Sequence, residues 1–357
     1  VLLTTAMDLP ETYGYDDAVV DVMANRLTKN QGMFTFAGHF HFPPLHTLAQ
    51  NIAAPSVVLE GPREADFVAE LRRKPDVVGI TCNVMNTDST EAMGRLIRQE
   101  APEARLILGG CGVRALEATS SGRALLEQAD GISHGEGVAY LRRYLGEPEE
   151  APFGEALPTA QARMDFLSVG FYQGSLTSGI GCDEGCDFCA TAHHFGGYIP
   201  VSTPRQIHEG LRALWRRRPD MDIVSLWDED FFARPARVGE LSSLLCQEGS
   251  QDLARLNFFT FASNRSLSAL SDEEILRSGL SMAWVGVESM ACELPKRGGD
   301  EVAATFRRLH SMGIQTTGSF MIGFDYQSRA NLEGDIEGYV ALEPTFAQIS
   351  RVLPLPG

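Results

Sequence analysis

The segment Gly181-Cys182-Asp183-Glu184-Gly185-Cys186-Asp187-Phe188-Cys189 sets three thiols at C-x-x-x-C-x-x-C spacing on one short loop. Three thiolates so placed can ligate three irons of a four-iron cluster and leave the fourth iron open to another ligand. Two blander readings stand beside this one. A zinc site would ordinarily use paired C-x-x-C units and four ligands, the fourth here coming from His193 or His194. The three cysteines can also be unrelated packed thiols. Their position favours the cluster, because they follow the strand that opens a run of βα units, where barrels carry their active sites.

That run must position whatever the loop does. Alternating β-rich and amphipathic segments predict strands near 175–180, 222–227, 256–261, 282–287, 314–320 and 347–352, with helices near 203–217, 234–247, 271–278, 298–312 and 328–342. Six such units predict a partial (β/α)6 barrel resembling part of the eight-unit TIM barrel, over residues 172–357. Ahead of it, Val1–Thr5, Ser56–Leu59, Val77–Thr81 and Arg105–Leu108 read as buried parallel strands, with a fifth ending near Ser133. Helices are expected over Glu64–Arg73 and Ser89–Glu100. Residues 1–145 therefore read as a doubly wound α/β, Rossmann-like domain. Residues 146–171, rich in Pro, Gly and Glu without a sustained period, read as a linker or strap.

Composition bounds the function. Hydrophobic residues at 44% and charged residues at 22% are ordinary for a globular chain, and 357 residues leave room for two domains. A formal charge of -17 repels a phosphate backbone, so nucleic acid is not an expected substrate. No apolar stretch is long enough to predict a membrane span. Seven unevenly spaced cysteines do not form a secreted disulfide framework, and a reducing, cytoplasmic setting is expected. The chain opens at Val1 inside an apparent strand and stops at Gly357, and a truncated C-terminal region is expected from that.

With the barrel and the loop in view, Ser178-Gly179-Ile180-Gly181-Cys182 through Phe188-Cys189 resembles the cysteine motif of the radical S-adenosylmethionine superfamily. The resemblance implies that Cys182, Cys186 and Cys189 hold a [4Fe-4S] cluster whose open iron is chelated by S-adenosylmethionine. One electron then cleaves the sulfonium to a 5'-deoxyadenosyl radical that abstracts hydrogen from substrate. Phe188 would pack near the adenine. Ser225-Leu226-Trp227-Asp228-Glu229-Asp230 is similar to the second-strand motif, so Asp228 and Glu229 would meet the methionine amino group. Ser263 and Arg265, after the third strand, would bind ribose or the methionine carboxylate, and an arginine can do so bidentately. Gly286-Val287-Glu288-Ser289 resembles the fourth-strand motif, with Glu288 accepting the ribose hydroxyls. Gly318 to Asp325 resembles the fifth, with Ile322 against adenine.

The N-terminal domain resembles the cobalamin-binding domain of cobalamin-dependent members. Thr81, Gly109, Gly110, Gly135, Glu136 and Gly137 fall at carboxyl ends of strands, where open α/β sheets bind ligands. No D-x-H-x-x-G motif supplies a lower axial histidine, which agrees with those enzymes. His46 and Cys111-Gly112 depart from the family pattern and leave open a domain that binds no cobalamin. His39, His41 and His46 surround Phe40 and Phe42, and packing is the plainer explanation of the trio. Cys82 reads as a small buried thiol, and Cys246 and Cys292 as structural.

The resemblance implies a cobalamin-dependent methyltransferase acting on an unactivated carbon, with S-adenosylmethionine and cobalamin as cofactors. Its rivals are a cyclase or rearrangement enzyme with or without cobalamin, and a non-catalytic iron-sulfur redox protein. Methylthiolation needs N-terminal cysteines for a further cluster, and only Cys82 and Cys111 precede Cys182. The expected partners are an electron donor such as flavodoxin or ferredoxin and a substrate that is a small molecule, lipid, tetrapyrrole or peptide.

Overall fold

Short Val/Ile/Leu-rich runs bounded by turns are too short for helices and too apolar for half-exposed strands, so they pair as parallel strands covered on both faces. In the computed structural model these runs form two parallel arrays. The structure describes residues 1–7, 36–39, 42–83, 86–154, 159–164, 169–247, 249–250, 253, 256–291 and 302–352.

The first sheet comprises β1 (Leu2–Thr5), β3 (Val57–Leu59), β4 (Val77–Thr81), β5 (Arg105–Gly109) and β6 (Gly131–Ile132), in the order β3-β1-β4-β5-β6 with every pairing parallel. Alternate side chains go to opposite faces. Leu2, Val78, Ile80, Leu106 and Leu108 pack on one side with Phe67, Met93 and Ile97, while Leu3, Val77 and Ile107 pack on the other with Leu45 and Leu141. The order reverses between β1 and β4, and such a switch point opens a crevice at the carboxyl ends of the strands. Pro43 and Pro44 open the helix Pro43–Gln50, where a missing N–H costs nothing, and its Leu45 is buried.

The second sheet has eight strands in the order β15-β14-β13-β12-β11-β8-β7-β2. β8 (Val169–Thr177), β11 (Ile223–Trp227), β12 (Asn257–Ala262), β13 (Leu280–Glu288), β14 (Gln315–Ile322) and β15 (Phe346–Arg351) are parallel neighbours. Helices Pro204–Arg217, Pro235–Leu245, Asp272–Arg277, Val302–Ser311 and Leu332–Val340 lie between them in sequence. Leu176, Val224, Leu226, Phe258, Val285, Val287 and Phe320 pack with Ile207, Leu211, Leu241 and Phe306 of those helices. The helix Pro204–Arg217 opens on a capping box, Thr203 and Gln206 each satisfying the other's backbone N–H.

Three features differ from the sequence expectation. The stretch read as a linker contains β7 (Thr159–Met164), which pairs antiparallel with β8 on one side and with β2 (Phe36–His39) on the other. A strand from the N-terminal half therefore extends the C-terminal sheet. β8 ends at Thr177, earlier than expected, and a separate two-residue strand β9 (Gly179–Ile180) follows it. Finally, the strap after the helix Gly137–Leu145 is tied down by buried Arg142, whose guanidinium donates to carbonyls of Asn51, Glu149 and Pro152.

Candidate functional site

The cysteine loop leaves the sheet at the carboxyl end of β8. β9 pairs antiparallel with β10 (Ile199–Pro200), so a short ladder closes the base of the excursion that carries the three cysteines and the helix Ala190–Phe195. Gly181 starts the loop at φ 75, and a Cβ there would lie 2.1 Å from the Gly197 carbonyl oxygen, so only glycine fits. The Glu184 N–H points at Cys182 Sγ from 3.4 Å, and the Cys189 N–H donates to the Cys186 carbonyl at 3.0 Å. Cys182, Cys186 and Cys189 are in no disulfide among the described residues and are partly exposed. Burial pushes the Cys182 thiol up to about 11; the Glu184 N–H opposes this, and the charges of Asp230, Glu184 and Glu229 add to it.

Among the described residues no group of three or more His, Cys, Asp and Glu side chains is arranged to hold a metal ion. A multi-iron cluster needs no common point, because each thiolate takes a different iron. The donor chemistry of three accessible thiols with an N–H already aimed at one sulfur fits such a cluster.

The acidic run after β11 splits into three environments. Asp228 is 4% exposed, and its Oδ2 accepts from Ser178 Oγ at 2.9 Å, Tyr198 Oη at 3.0 Å and Arg237 Nη1 at 3.0 Å. It is fully engaged in tying β11 to the base of the cysteine loop. Asp230 is also buried; Oδ1 accepts from the Ser263 N–H and the Ser266 hydroxyl, while Oδ2 has no hydrogen-bond partner. Burial raises its pKa, partly countered by those serines. Glu229 reaches solvent, yet partial desolvation, helped by the charge of Asp228, pushes its carboxyl up to about 7. Of the three, Glu229 has the carboxylate best placed to meet an arriving cation.

The other expected ligands fall around the same mouth. Ser263 caps the helix Asn264–Ser268 by accepting from the Ser266 N–H at 3.0 Å. Arg265 pairs with Glu184 of the cysteine loop. Glu288 ends β13 beside a register shift, 5% exposed and at φ 63, a left-handed conformation that a non-glycine residue adopts only under constraint. Phe188 meets Phe324 edge to face at 5.4 Å between centroids, which joins the cysteine loop to the segment after β14, and partly buried Ile322 packs against the barrel core.

Several residues of the site were not found from the sequence. Tyr198, Arg234 and Arg237 brace the cysteine loop. Buried Asp335 accepts from Ser289 Oγ at 2.7 Å, Gln327 Nε2 at 2.8 Å and the Ala291 N–H at 3.1 Å, and so fixes the loop after Glu288. Most of their partners lie fifteen or more residues away in the chain, and only Asp335, a buried acid in its helix, carried a readable signal.

On the N-terminal sheet, Thr81 ends β4 and Gly109 ends β5. Gly110 has φ 90, and a Cβ there would lie 2.4 Å from the Cys82 carbonyl oxygen, so its close approach is to the chain's own neighbouring strand. Glu136 caps the helix Gly137–Leu145, accepting from the Val138 and Ala139 N–H groups. Gly135 faces the Cys loop: a Cβ there would be 3.7 Å from the His194 carbonyl oxygen. Burial, then the charges of Arg114 and His134, lower the pKa of His194. Cys82 is buried, its thiol pushed up to about 11 by burial, as a packed thiol should be. Cys246 is exposed rather than packed, because it falls at the end of the helix Pro235–Leu245. His46 lies 3.2 Å from Glu60, and His39 pairs in β2 with Gln161; His41 and Cys292 lie outside the described residues.

This arrangement, a parallel α/β sheet joined to a second, mainly parallel sheet with a cysteine loop at the carboxyl end of β8, has counterparts among solved structures. The solved structure of TsrM from Kitasatospora setae, described as a radical S-adenosylmethionine methyltransferase with tryptophan substrate and a cofactor analogue bound, superposes on 98% of this chain and 72% of its own, with a TM-score of 0.66 and 15% identity. A second structure of that protein, with cobalamin and a [4Fe-4S] cluster bound, covers 98% and 74% at a TM-score of 0.64 and 14% identity. An uncharacterized methyltransferase of Pyrococcus horikoshii is 22% identical over 81% of this chain and 70% of that one. No protein-family model matches the chain. Among the described residues no helix is long and apolar enough to cross a membrane.

Proposed function

We propose that the chain is a cobalamin-dependent radical S-adenosylmethionine enzyme that transfers a methyl group to an unactivated carbon of a small organic substrate. One observation carries this reading: Gly135, in the loop after the last strand of the first sheet, lies against the helix that follows the three cysteines, where a Cβ on it would be 3.7 Å from the His194 carbonyl oxygen. A cofactor over that sheet and one at the cysteines would face a shared space. When bound, the iron-sulfur cluster and corrin supply one-electron cleavage of a sulfonium and a methyl-carrying cobalt.

The residues then have distinct tasks. Cys182, Cys186 and Cys189 hold the cluster. Glu229 binds the methionine ammonium, whose charge draws the raised carboxyl toward its ionised form. Phe188 and Phe324 flank the adenine, with Ile322 behind, and Glu288 accepts from the ribose hydroxyls. Ser263 holds the acidic loop through Asp230. On the other side Thr81, Gly109, Gly110, Gly135, Glu136 and Gly137 border the corrin. In a reducing, cytoplasmic compartment a flavodoxin or ferredoxin would deliver the electron.

A second reading, a radical enzyme whose first domain binds no corrin, draws on one observation: Gly110 is required by the chain's own packing, with or without a ligand. Anaerobic incubation with S-adenosylmethionine, reductant and reconstituted cofactors separates these. Methyl transfer predicts both 5'-deoxyadenosine and adenosylhomocysteine, with corrin retained through purification. 5'-Deoxyadenosine alone, without corrin, supports the second reading, and neither product overturns both.

A further inference from the structure

Two acids, Asp183 and Glu184, fill the spacer between the first two cysteines, and each is held by an arginine from a different later loop. Arg234, just after β11, places Nη2 2.6 Å from Asp183 Oδ2, and its guanidinium lies 3.3 Å above the Tyr198 ring. The other oxygen of Asp183 accepts the Tyr198 N–H at 2.9 Å. Arg265, after β12, pairs with Glu184, whose side chain is only 9% exposed. Tyr198 is in turn fixed through its hydroxyl to Asp228 and Arg237.

We infer that Asp183–Arg234 and Glu184–Arg265 form a double clamp that holds the cysteine loop in its ligating shape before any cluster arrives, and that sets the local charge the cluster then meets. Planar guanidinium groups suit this task, since they join a carboxylate in a fixed orientation and stack on an aromatic face at the same time. Without the clamp, a loop rich in glycine and carrying three like-charged acids, Asp183, Glu184 and Asp187, would splay. These are positioning residues: they act through the cysteines. Arg265, read from the sequence as a cofactor contact, has this partner in the chain itself.

The part of the inference that concerns cluster charge rests on the cysteines being cluster ligands; the part that concerns loop shape does not. Full-length apoprotein, wild type and D183N, R234Q and the double variant, is digested briefly with chymotrypsin, which can cut after Phe188. Asp183 is 66% exposed, so each single variant should be cut about two- to fivefold faster than wild type, the factor an exposed ion pair contributes, and the double variant no faster than the singles. The same four proteins are then reconstituted and their cluster midpoint potentials measured. R234Q leaves an uncompensated carboxylate and should lower the potential; D183N leaves an uncompensated guanidinium and should raise it; the double variant should return close to wild type. Unchanged cleavage rates, or potentials that move in the same direction in both single variants, overturn the clamp. Failure of the wild type to take up iron, with the cleavage pattern as expected, overturns the cluster reading and leaves the clamp of the loop standing.

Discussion

Glu229 is a carboxyl whose proton affinity rises on folding, and this has a measurable sign. Its folded value of about 7 exceeds its ordinary value of 4.5, so between these the folded chain holds more of the proton than the unfolded chain. Stability therefore falls as pH rises through that window. Solvent at the mouth reduces the size of the effect but not its direction. In Glu229→Gln the penalty is gone: melting temperatures of the variant and wild type should agree near pH 4, and the variant should melt higher above pH 7. Equal melting temperatures across the range would contradict the burial argument. Gly181 makes a second residue-scale prediction. Gly181→Ala forces a side chain into φ 75 and into the Gly197 carbonyl, and should destabilise by about 1–3 kcal/mol, read by denaturant unfolding, with reduced iron uptake on reconstitution.

At the scale of elements, the fourth and fifth strand loops are joined through Asp335 on the helix Leu332–Val340. Asp335→Ala would remove the buried acceptor shared by the Ser289 hydroxyl, the Ala291 N–H and the Gln327 amide, although the Ala291 N–H also donates to Ser289 Oγ and the Gln327 amide to the Met321 carbonyl. A loss of about 1–2 kcal/mol is expected from removing this buried acceptor, and Asp335→Asn, which keeps one acceptor, should lose less. Calorimetric titration should also show weaker S-adenosylmethionine binding in Asp335→Ala, because Glu288 sits two residues before the Met290 N–H that the same carboxylate accepts. Elements of this kind were legible in unequal measure. The buried strands β1, β4, β5 and β11 to β14 could be placed to within a few residues, since burial on both faces leaves continuous apolar runs and helices must separate them; the edge strand β15, largely exposed, was placed by the rhythm of the helices before it. The pairing of β2 with β7 could not, because it joins residues far apart in the chain and shows no periodic mark at either end. The candidate site divides in the same way. Local motifs named the cysteines, Glu229, Glu288 and Phe188, whereas the arginines that brace the loop are visible only once β11 and β12 bring their loops beside it.

At the scale of the molecule, the two halves share a sheet, since β2 from the first half lies outside β7, which lies against β8. A chain begun at residue 169 would expose the edge of β8 as an unpaired template, and such edges associate. That truncated chain is expected to elute as aggregate in size-exclusion chromatography, whereas the full chain should not; a well-behaved truncated monomer would show that β7 and β2 are dispensable to the barrel. Gly135 of the first half lies beside His194 of the second, where a Cβ would be 3.7 Å from the His194 carbonyl oxygen.

The central claim is that three thiolates leave one iron open to a sulfonium cofactor. Electron paramagnetic resonance of anaerobically reconstituted, reduced protein tests it most directly. The account predicts a [4Fe-4S] signal that changes on addition of S-adenosylmethionine and is lost when Cys182, Cys186 and Cys189 are replaced by alanine. A signal indifferent to S-adenosylmethionine, or bound zinc in place of iron, would contradict it.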